Sequence, residues 1–341
     1  MTASDSDFEA QAAIAGQKRI FMLGATGTIG RATLKTLLDH GHAVTCFLRR
    51  KIETPSNSDV MPQHPRLTLR YGDVTDAKSL SVDGFNHESF DVVVSCLASR
   101  TGAPQDAWAI DYQAHRHVLD AAKQTGAKHF ILLSALCVQK PRLEFQHAKL
   151  AFEKDLMESG LIYSIIRPTA FFKSLSGQVE RVKAGKSFLI FGDGRLTACK
   201  PISDRDLAVF IVKSLSDHNH WNKILPIGGP GPAITPLDQG NYLFSRLQRE
   251  PKFKSVPLWF MKWIIMILTL IGRVYSRFAD QAELARIGYY YATESMLVLN
   301  RETGVYDENL TPSTGQDTLF EHYDQLIRGN LHHERGDHSV F

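Results

Sequence analysis

A run of glycines at 24, 27 and 30, an arginine pair at 49 and 50, and a lysine at 149 are the residues here whose types and spacing could do chemistry. Gly24-Ala-Thr-Gly27-Thr-Ile-Gly30 follows the apolar run Lys18 to Leu23 and precedes Arg31 to His40, which reads as an amphipathic helix closing at Gly41. In a strand, turn, helix order Gly24 permits the tight turn, Gly27 lets a backbone approach a pyrophosphate, and Gly30 allows the helix to pack closely on the strand. With Thr26, Thr28 and Ile29, the turn offers the N–H groups of a helix N-terminus to phosphate charge. The next strand, Ala43 to Leu48, ends in Arg49-Arg50-Lys51, where an acid would usually hold the ribose hydroxyls of NAD. A guanidinium fork suits a phosphomonoester, so the predicted cofactor is NADPH, with Arg49 the first contact and Arg50 the second.

Lys149 stands one helical turn after Phe145 in Phe145-Gln-His-Ala-Lys149, which puts both on one helix face. The spacing resembles the Tyr-x-x-x-Lys signature of the short-chain dehydrogenases/reductases, with Phe145 at the place of the tyrosine. That resemblance implies that Lys149 hydrogen-bonds the nicotinamide ribose. In a carbonyl reductase the phenol hands a proton to the developing oxyanion, and a phenyl ring has none to give. Reduction of a simple ketone is therefore not expected, and a lysine of ordinary pKa is only a second choice as proton donor.

Strands and helices alternate as a doubly wound parallel sheet requires, which predicts an α/β Rossmann-type fold with a smaller C-terminal substrate-binding part. Leu67 to Tyr71 is the third strand, followed by Asp73 and Val74, which the resemblance to the short-chain dehydrogenases puts beside the adenine ring. Asp91 to Leu97 is a buried fourth strand, and the same resemblance implies that Ala98 and Ser99 sit beside the phosphates and nicotinamide. His129 to Leu133 ends at Ser134, and Leu161 to Ile166 ends at Arg167-Pro168-Thr169. All these carboxyl ends meet at the ligand crevice. Ser134 is read as a contact to substrate or cofactor, or as a turn residue. The expected division is a lead-in over 1–17, a dinucleotide domain over 18–200 with its sheet completed by 201–229, a substrate part over 230–325 and a polar tail over 326–341.

Net charge is +3 over 341 residues, with no basic patch interleaved with aromatics, so nucleic-acid binding is not expected. Cys46, Cys96, Cys137 and Cys199 are scattered, which predicts reduced thiols and neither disulfide framework nor zinc site. His115 and His117 are two apart on a helix and form no ligand pair; no protein-held metal is expected. Residues 1–16 carry Asp5, Asp7 and Glu9 and no arginine, unlike a transit peptide.

The runs Ser134 to Pro141, Leu143 to Gln146, Arg167 to Leu175, Phe191 to Gly194, Cys199 to Ser203, Leu225 to Gly231 and Tyr290 to Val298 are more specific. Together they resemble the NADPH-dependent 8-vinyl reductases of divinyl chlorophyllide, a family of atypical short-chain dehydrogenases, over about Arg19 to Tyr306. The resemblance implies reduction of the vinyl group on ring B of a magnesium chlorin or porphyrin to ethyl, in chlorophyll or bacteriochlorophyll synthesis. Magnesium then belongs to the substrate. With no transit peptide read in residues 1–16, a bacterial cytoplasm, peripheral to photosynthetic membranes, is the expected location. Phe171, Phe172, Trp259 and Trp263 are candidates to stack on the macrocycle. Lys173, Arg181 or Lys183 could pair with its propionate, or line an exposed face. Val256 to Ile271 is an apolar run broken only by Lys262 and Thr269, expected as a buried helix that walls the pigment pocket, with an interfacial membrane contact as the alternative. A dinucleotide-sensing regulator and a membrane-bound photosynthetic assembly factor are the competing readings of function.

Overall fold

The computed structural model describes residues 16–49 and 61–330. Arg50, most of the loop from Lys51 to Pro65, and the tail histidines 332, 333 and 338 lie outside the described residues. In chain order, β1 (Arg19–Leu23), α1 (Thr28–Asp39), β2 (Ala43–Arg49) and β3 (Leu67–Gly72) precede β4 (Val92–Ser95), α2 (His115–Gln124), β5 (His129–Leu133), α3 (Glu144–Met157) and β6 (Ile162–Pro168). Then come β7 (Phe188–Phe191), α4 (Asp204–Lys213), β8 (Lys223–Ile227), α5 (Pro236–Arg246), β9 (Phe253–Val256), α6 (Leu258–Gly272), α7 (Ser276–Thr293), β10 (Val298–Leu299), β11 (Tyr306–Asp307) and α8 (Leu319–Arg328). Only the longer helices are numbered.

Seven strands form one parallel sheet in the order β3-β2-β1-β4-β5-β6-β8. The chain order reverses between β1 and β4, which opens a crevice at their carboxyl ends. Both faces are covered, so the strands are apolar at consecutive positions. Ile20 and Met22 face one layer with Leu34, Leu37, Leu207 and Ile211 of α1 and α4. Phe21 and Leu23 face the other with Phe85, Phe130 and Phe152. Phe21 and Phe85 stack there with ring centroids 4.0 Å apart. Helix α1 starts at Thr28, earlier than the apolar periodicity from Arg31 indicates, because Gly27 already has extended N-cap geometry.

The later part of the chain builds a separate cluster from Phe172, Val179, Phe188, Leu243 and Tyr323. It is tied to the sheet by the loop before α3. Gln139 donates to the Leu297 carbonyl and accepts from the Leu299 N–H. Glu294, almost fully buried, accepts from Lys140 at 2.7 Å, Arg142 at 2.8 Å and the Tyr306 hydroxyl at 2.6 Å. A buried carboxylate needs that many partners to offset its lost hydration.

The apolar run folds as expected into a helix, α6, but no residue of it is buried. This corrects the expectation of a buried wall. Among the described residues its main helical neighbour is α7, the next helix of the chain: Arg286 of α7 donates to the Thr269 hydroxyl at 2.9 Å, Lys262 lies over the Tyr289 ring, and a Cβ on Gly272 would lie 2.8 Å from the Ala279 nitrogen. Among the described residues no helix is long and apolar enough to cross a membrane.

Two histidines inside the sheet layers set an acid limit on stability. His115 at the start of α2 has Nε2 2.8 Å from the Ser95 hydroxyl and Nδ1 2.8 Å from the Ile110 carbonyl. A carbonyl only accepts, so the neutral ring carries its proton on Nδ1. Burial first, then the charge of Lys149, lowers its pKa to about 4, and burial does the same to His129. Folded protein keeps both rings neutral where the unfolded chain protonates them, so the unfolded state binds more protons below pH 6.5. Their stabilisation is complete above about pH 6.5 and is lost as pH falls toward 4. The unfolding free energy read from urea titrations should drop across that window by roughly 3 kcal/mol for each histidine, with the urea midpoint falling accordingly. A His115→Gln variant should show a flatter pH slope; an unchanged slope would overturn the assignment.

Candidate functional site

The crevice begins at the glycine turn between β1 and α1. Gly24 has φ +73, and a Cβ there would stand 2.4 Å from the Cys96 carbonyl carbon, so both backbone and space require glycine. Gly30 is equally constrained, since its Cβ would meet the Gly24 oxygen at 1.9 Å. Gly27 differs. Its φ is −72 and its Cβ would have only an ordinary contact at 3.5 Å, so the fold does not need glycine there. No side chain caps α1, and Thr26, Gly27 and Thr28 are exposed while Ile29 is core. An open helix N-terminus and an unfilled Cβ position fit a phosphate group.

Lys173 extends to this same place, with Nζ 3.2 Å from the Thr28 hydroxyl. The sequence reading put it with the substrate carboxylate, whereas here it adds positive charge to the phosphate turn. At the ends of β2 and β3, Arg49 pairs in register with Gly72, next to Asp73. Hydrogen bonds from the Thr75 hydroxyl and N–H hold the Asp73 carboxyl below the usual range, and the charge of Arg49 adds to this. Val74 packs on the core.

Past β4, Ala98 is exposed and Ser99 is buried. The Ser99 hydroxyl donates to Asp111 at 2.6 Å, and the Lys149 ammonium reaches the other oxygen of that carboxylate at 2.8 Å. Asp111 is fully buried and sits in the wide π-helical turn Trp108–Ala114, a backbone form found often at functional sites. Sequence reasoning missed this residue. The signal available was indirect: a lysine on a buried helix face requires a carboxylate, because an unpaired charge there costs several kcal/mol. Phe145, one turn before Lys149, is 8 % exposed and packs with Cys137, Tyr290 and Met296. Gly102 brings this face to α7: a Cβ on it would lie 2.8 Å from Ile287 and 3.6 Å from Phe145. The Tyr290 hydroxyl binds the loop before α3, 2.9 Å from the Cys137 carbonyl.

Several expected ligands face elsewhere. The Ser134 hydroxyl donates to Glu153 at 2.5 Å, and Glu153 is in turn paired with Arg167. It therefore shares a buried carboxylate with Arg167, whose guanidinium supplies the balancing charge. Pro168 closes β6, and the Thr169 hydroxyl donates to the Lys200 carbonyl. Phe171 packs against the sheet core and Phe172 is enclosed in the later cluster, so Phe172 presents no free face to a macrocycle. Trp259 and Trp263 are 63 % and 55 % exposed. His147 lies on the exposed side of α3. Arg181 donates to the Ser187 carbonyl, and Lys183 to Glu180 and to the Leu326 carbonyl of α8. Among the described residues no cluster of His, Cys, Asp or Glu could hold a metal ion, and all four cysteines are free.

A family model described as NAD(P)H-binding matches residues 24–218. The chain is 49 % identical to the chloroplastic divinyl chlorophyllide a 8-vinyl-reductase of Arabidopsis thaliana, across 92 % of this chain and 77 % of that protein. It is 47 % identical to the protein of the same name from Oryza sativa subsp. indica, across 94 % and 82 %. The structure of the NADPH-dependent quinone oxidoreductase QOR2 of Escherichia coli, complexed with NADPH, superposes with a TM-score of 0.63 at 19 % identity, over 90 % of this chain and 99 % of that one. At that identity it shows the fold. Both plant relatives are named chloroplastic, which overturns the expectation of a bacterial cytoplasm. An acidic opening segment was too weak a basis for assigning a compartment.

The contrast between the glycines is testable. Gly27→Ala should leave stability within about 1 kcal/mol, the scale of an N-cap change, yet sharply weaken dinucleotide binding. Gly30→Ala should unfold or destabilise the protein by more than the roughly 1–3 kcal/mol of ordinary overpacking, since its clash is with backbone. Thermal melts with dinucleotide titration read both, and tight binding by the Gly27→Ala variant would refute a phosphate at this turn.

Proposed function

The chain belongs to the divinyl chlorophyllide a 8-vinyl-reductase family, and from that membership we propose how its crevice reduces the 8-vinyl group of divinyl chlorophyllide a, or of the corresponding protochlorophyllide, to ethyl with NADPH. The observation that carries this reading is a lysine held by a buried carboxylate beside a phenylalanine that lacks any proton to give. NADPH supplies a hydride when bound. The terminal vinyl carbon gains that hydride and the inner carbon gains a proton, so one C=C bond becomes a C–C bond at the expense of one NADPH and one proton. Negative charge on the way is spread through the conjugated macrocycle, so no oxyanion donor is needed at position 145.

Each residue then has a physical task. The α1 N-terminus, with Gly24, Thr26, Gly27, Thr28, Ile29 and Gly30, holds the pyrophosphate, and Lys173 adds charge to it. Arg49 and Arg50 grip the 2′-phosphate, which an acid at the same place would repel. Asp73 and Val74 flank the adenine, and Ala98 and Ser99 line the path toward the nicotinamide. Lys149 hydrogen-bonds the nicotinamide ribose. Asp111 and Ser99 fix the direction of its ammonium, so the lysine loses little freedom on binding. Phe145 supports an apolar ceiling under Tyr290 and Ile287, where a flat pigment meets carbon and not water. Pro168 and Thr169 close the nicotinamide end of β6. The competing readings, a dinucleotide-sensing regulator and a photosynthetic assembly factor, are not favoured, because the relatives named as reductases match over nine-tenths of the chain.

Two measurements bear on this reading. Arg49→Ala should raise the KM for NADPH about tenfold or more with kcat little changed and NADH kinetics unaffected. Wild-type protein equally efficient with both dinucleotides would remove the phosphate assignment. In pigment reduction followed by absorbance, Phe145→Tyr should stay within about tenfold of wild type, and Lys149→Ala should fall by roughly a hundredfold or more. Asp111→Asn should resemble a weaker lysine lesion, expressed mainly in the KM for NADPH. A folded Lys149→Ala protein with full activity would sink the role given to the lysine.

A further inference from the structure

Helix α6 is apolar nearly all round and yet uncovered. The residues that meet α7, among them Thr269 and Gly272, follow helical spacing along one stripe. On the remaining surface Trp259, Trp263, Ile267 and Leu270 are between 48 % and 63 % exposed, and Val274 just beyond the helix is 75 % exposed. A contiguous apolar face of this kind marks an interaction site on a soluble domain. Its charge surroundings are mainly basic, with Glu250 and Asp280 just outside the basic stretch. From Pro251 to Ala279 the chain carries Lys252, Lys254, Lys262, Arg273 and Arg277 and no acidic residue. Lys252, Lys254, Lys262 and Arg273 are exposed around the two ends and along the helix.

We propose that α6 lies flat in the headgroup region of an anionic lipid bilayer, with its Trp259, Trp263, Ile267 and Leu270 face at the acyl boundary and the flanking lysines and arginines on lipid phosphates. Tryptophans and long cationic side chains are the residues that settle at this depth. A crossing is excluded by length, since 15 residues of helix reach only about 22 Å against roughly 30 Å of hydrocarbon. A second copy of the chain is a poor occupant, because a two-fold contact would bring these cations against their own symmetry mates. The bilayer contact also explains where α6 sits. It is packed on α7, and α7 carries Ile287 against Gly102 and Tyr290 against the loop before α3. One helix thus stands between the membrane face and the crevice, which brings a hydrophobic substrate collected from lipid near the site. That consequence rests on the pigment reading above, whereas the bilayer contact itself does not.

The test is sedimentation of the purified full-length protein, without pigment, with vesicles of phosphatidylcholine alone or with about a quarter phosphatidylglycerol. Binding should favour the anionic vesicles at least tenfold, weaken with added salt, and shift tryptophan emission to the blue. Ile267→Glu with Leu270→Glu should lower partitioning at least tenfold with NADPH affinity unchanged, which also certifies the fold. Lys252→Glu with Lys254→Glu should remove the preference for anionic lipid while retaining residual binding. Absence of vesicle binding by wild type would overturn the proposal. So would a stable dimer in ultracentrifugation that the Ile267→Glu, Leu270→Glu protein cannot form, because a second copy would then cover the face. Since no pigment is present, failure here leaves the reductase reading standing, and a wild-type protein that binds vesicles but cannot reduce pigment would overturn only that reading.

Discussion

The contact on which the crevice depends is the buried pair of Asp111 and Lys149, closed by the Ser99 hydroxyl. It joins the end of β4, the wide turn before α2, and α3. Neither charge would be tolerable alone at that depth, so the pair fixes three segments relative to one another at once. His115, packed just behind, is kept neutral partly by the same ammonium. The crevice wall and a layer of the core therefore share one electrostatic arrangement.

A second constraint acts on the substrate side. The loop before α3 is gripped by Glu294, Tyr290 and Leu297 from the end of α7 and the segment after it. The glycine turn is touched by Lys173 from beyond β6. The dinucleotide half and the later half of the chain are thus joined where ligands are expected to bind.

How far the amino-acid sequence reveals this follows from the range of each interaction. The strands were legible because a sheet covered on both faces needs consecutive apolar residues, and the glycine turn because strand, turn and helix adjoin along the chain. Asp111 was not legible, since its partner is 38 residues away and no local pattern marks a carboxylate by its distant lysine. Ser134 was placed correctly at a strand end, but the direction of its hydroxyl is set by Glu153 on a helix yet to come. Lys173 meets Thr28 across 145 residues, which sequence order alone cannot suggest. For α6 the helix was readable and its surroundings were not, because an all-apolar helix looks the same whether protein or lipid lies against it.

The clamp of Glu294 on Lys140 spans 154 positions, and this has a bearing on how the molecule comes into being. Contacts so distant along the chain form slowly, since a long loop must close before any of them is gained. On the ribosome the glycine turn, β4 and the Asp111–Lys149 pair are all synthesised well before Tyr290 and Glu294 emerge. The nascent chain can therefore shape its dinucleotide cleft while the loop that carries Lys140 and Arg142 still waits for its acid. That side can close only once Tyr290 and Glu294 have emerged, so chains truncated before them would lack its clamp.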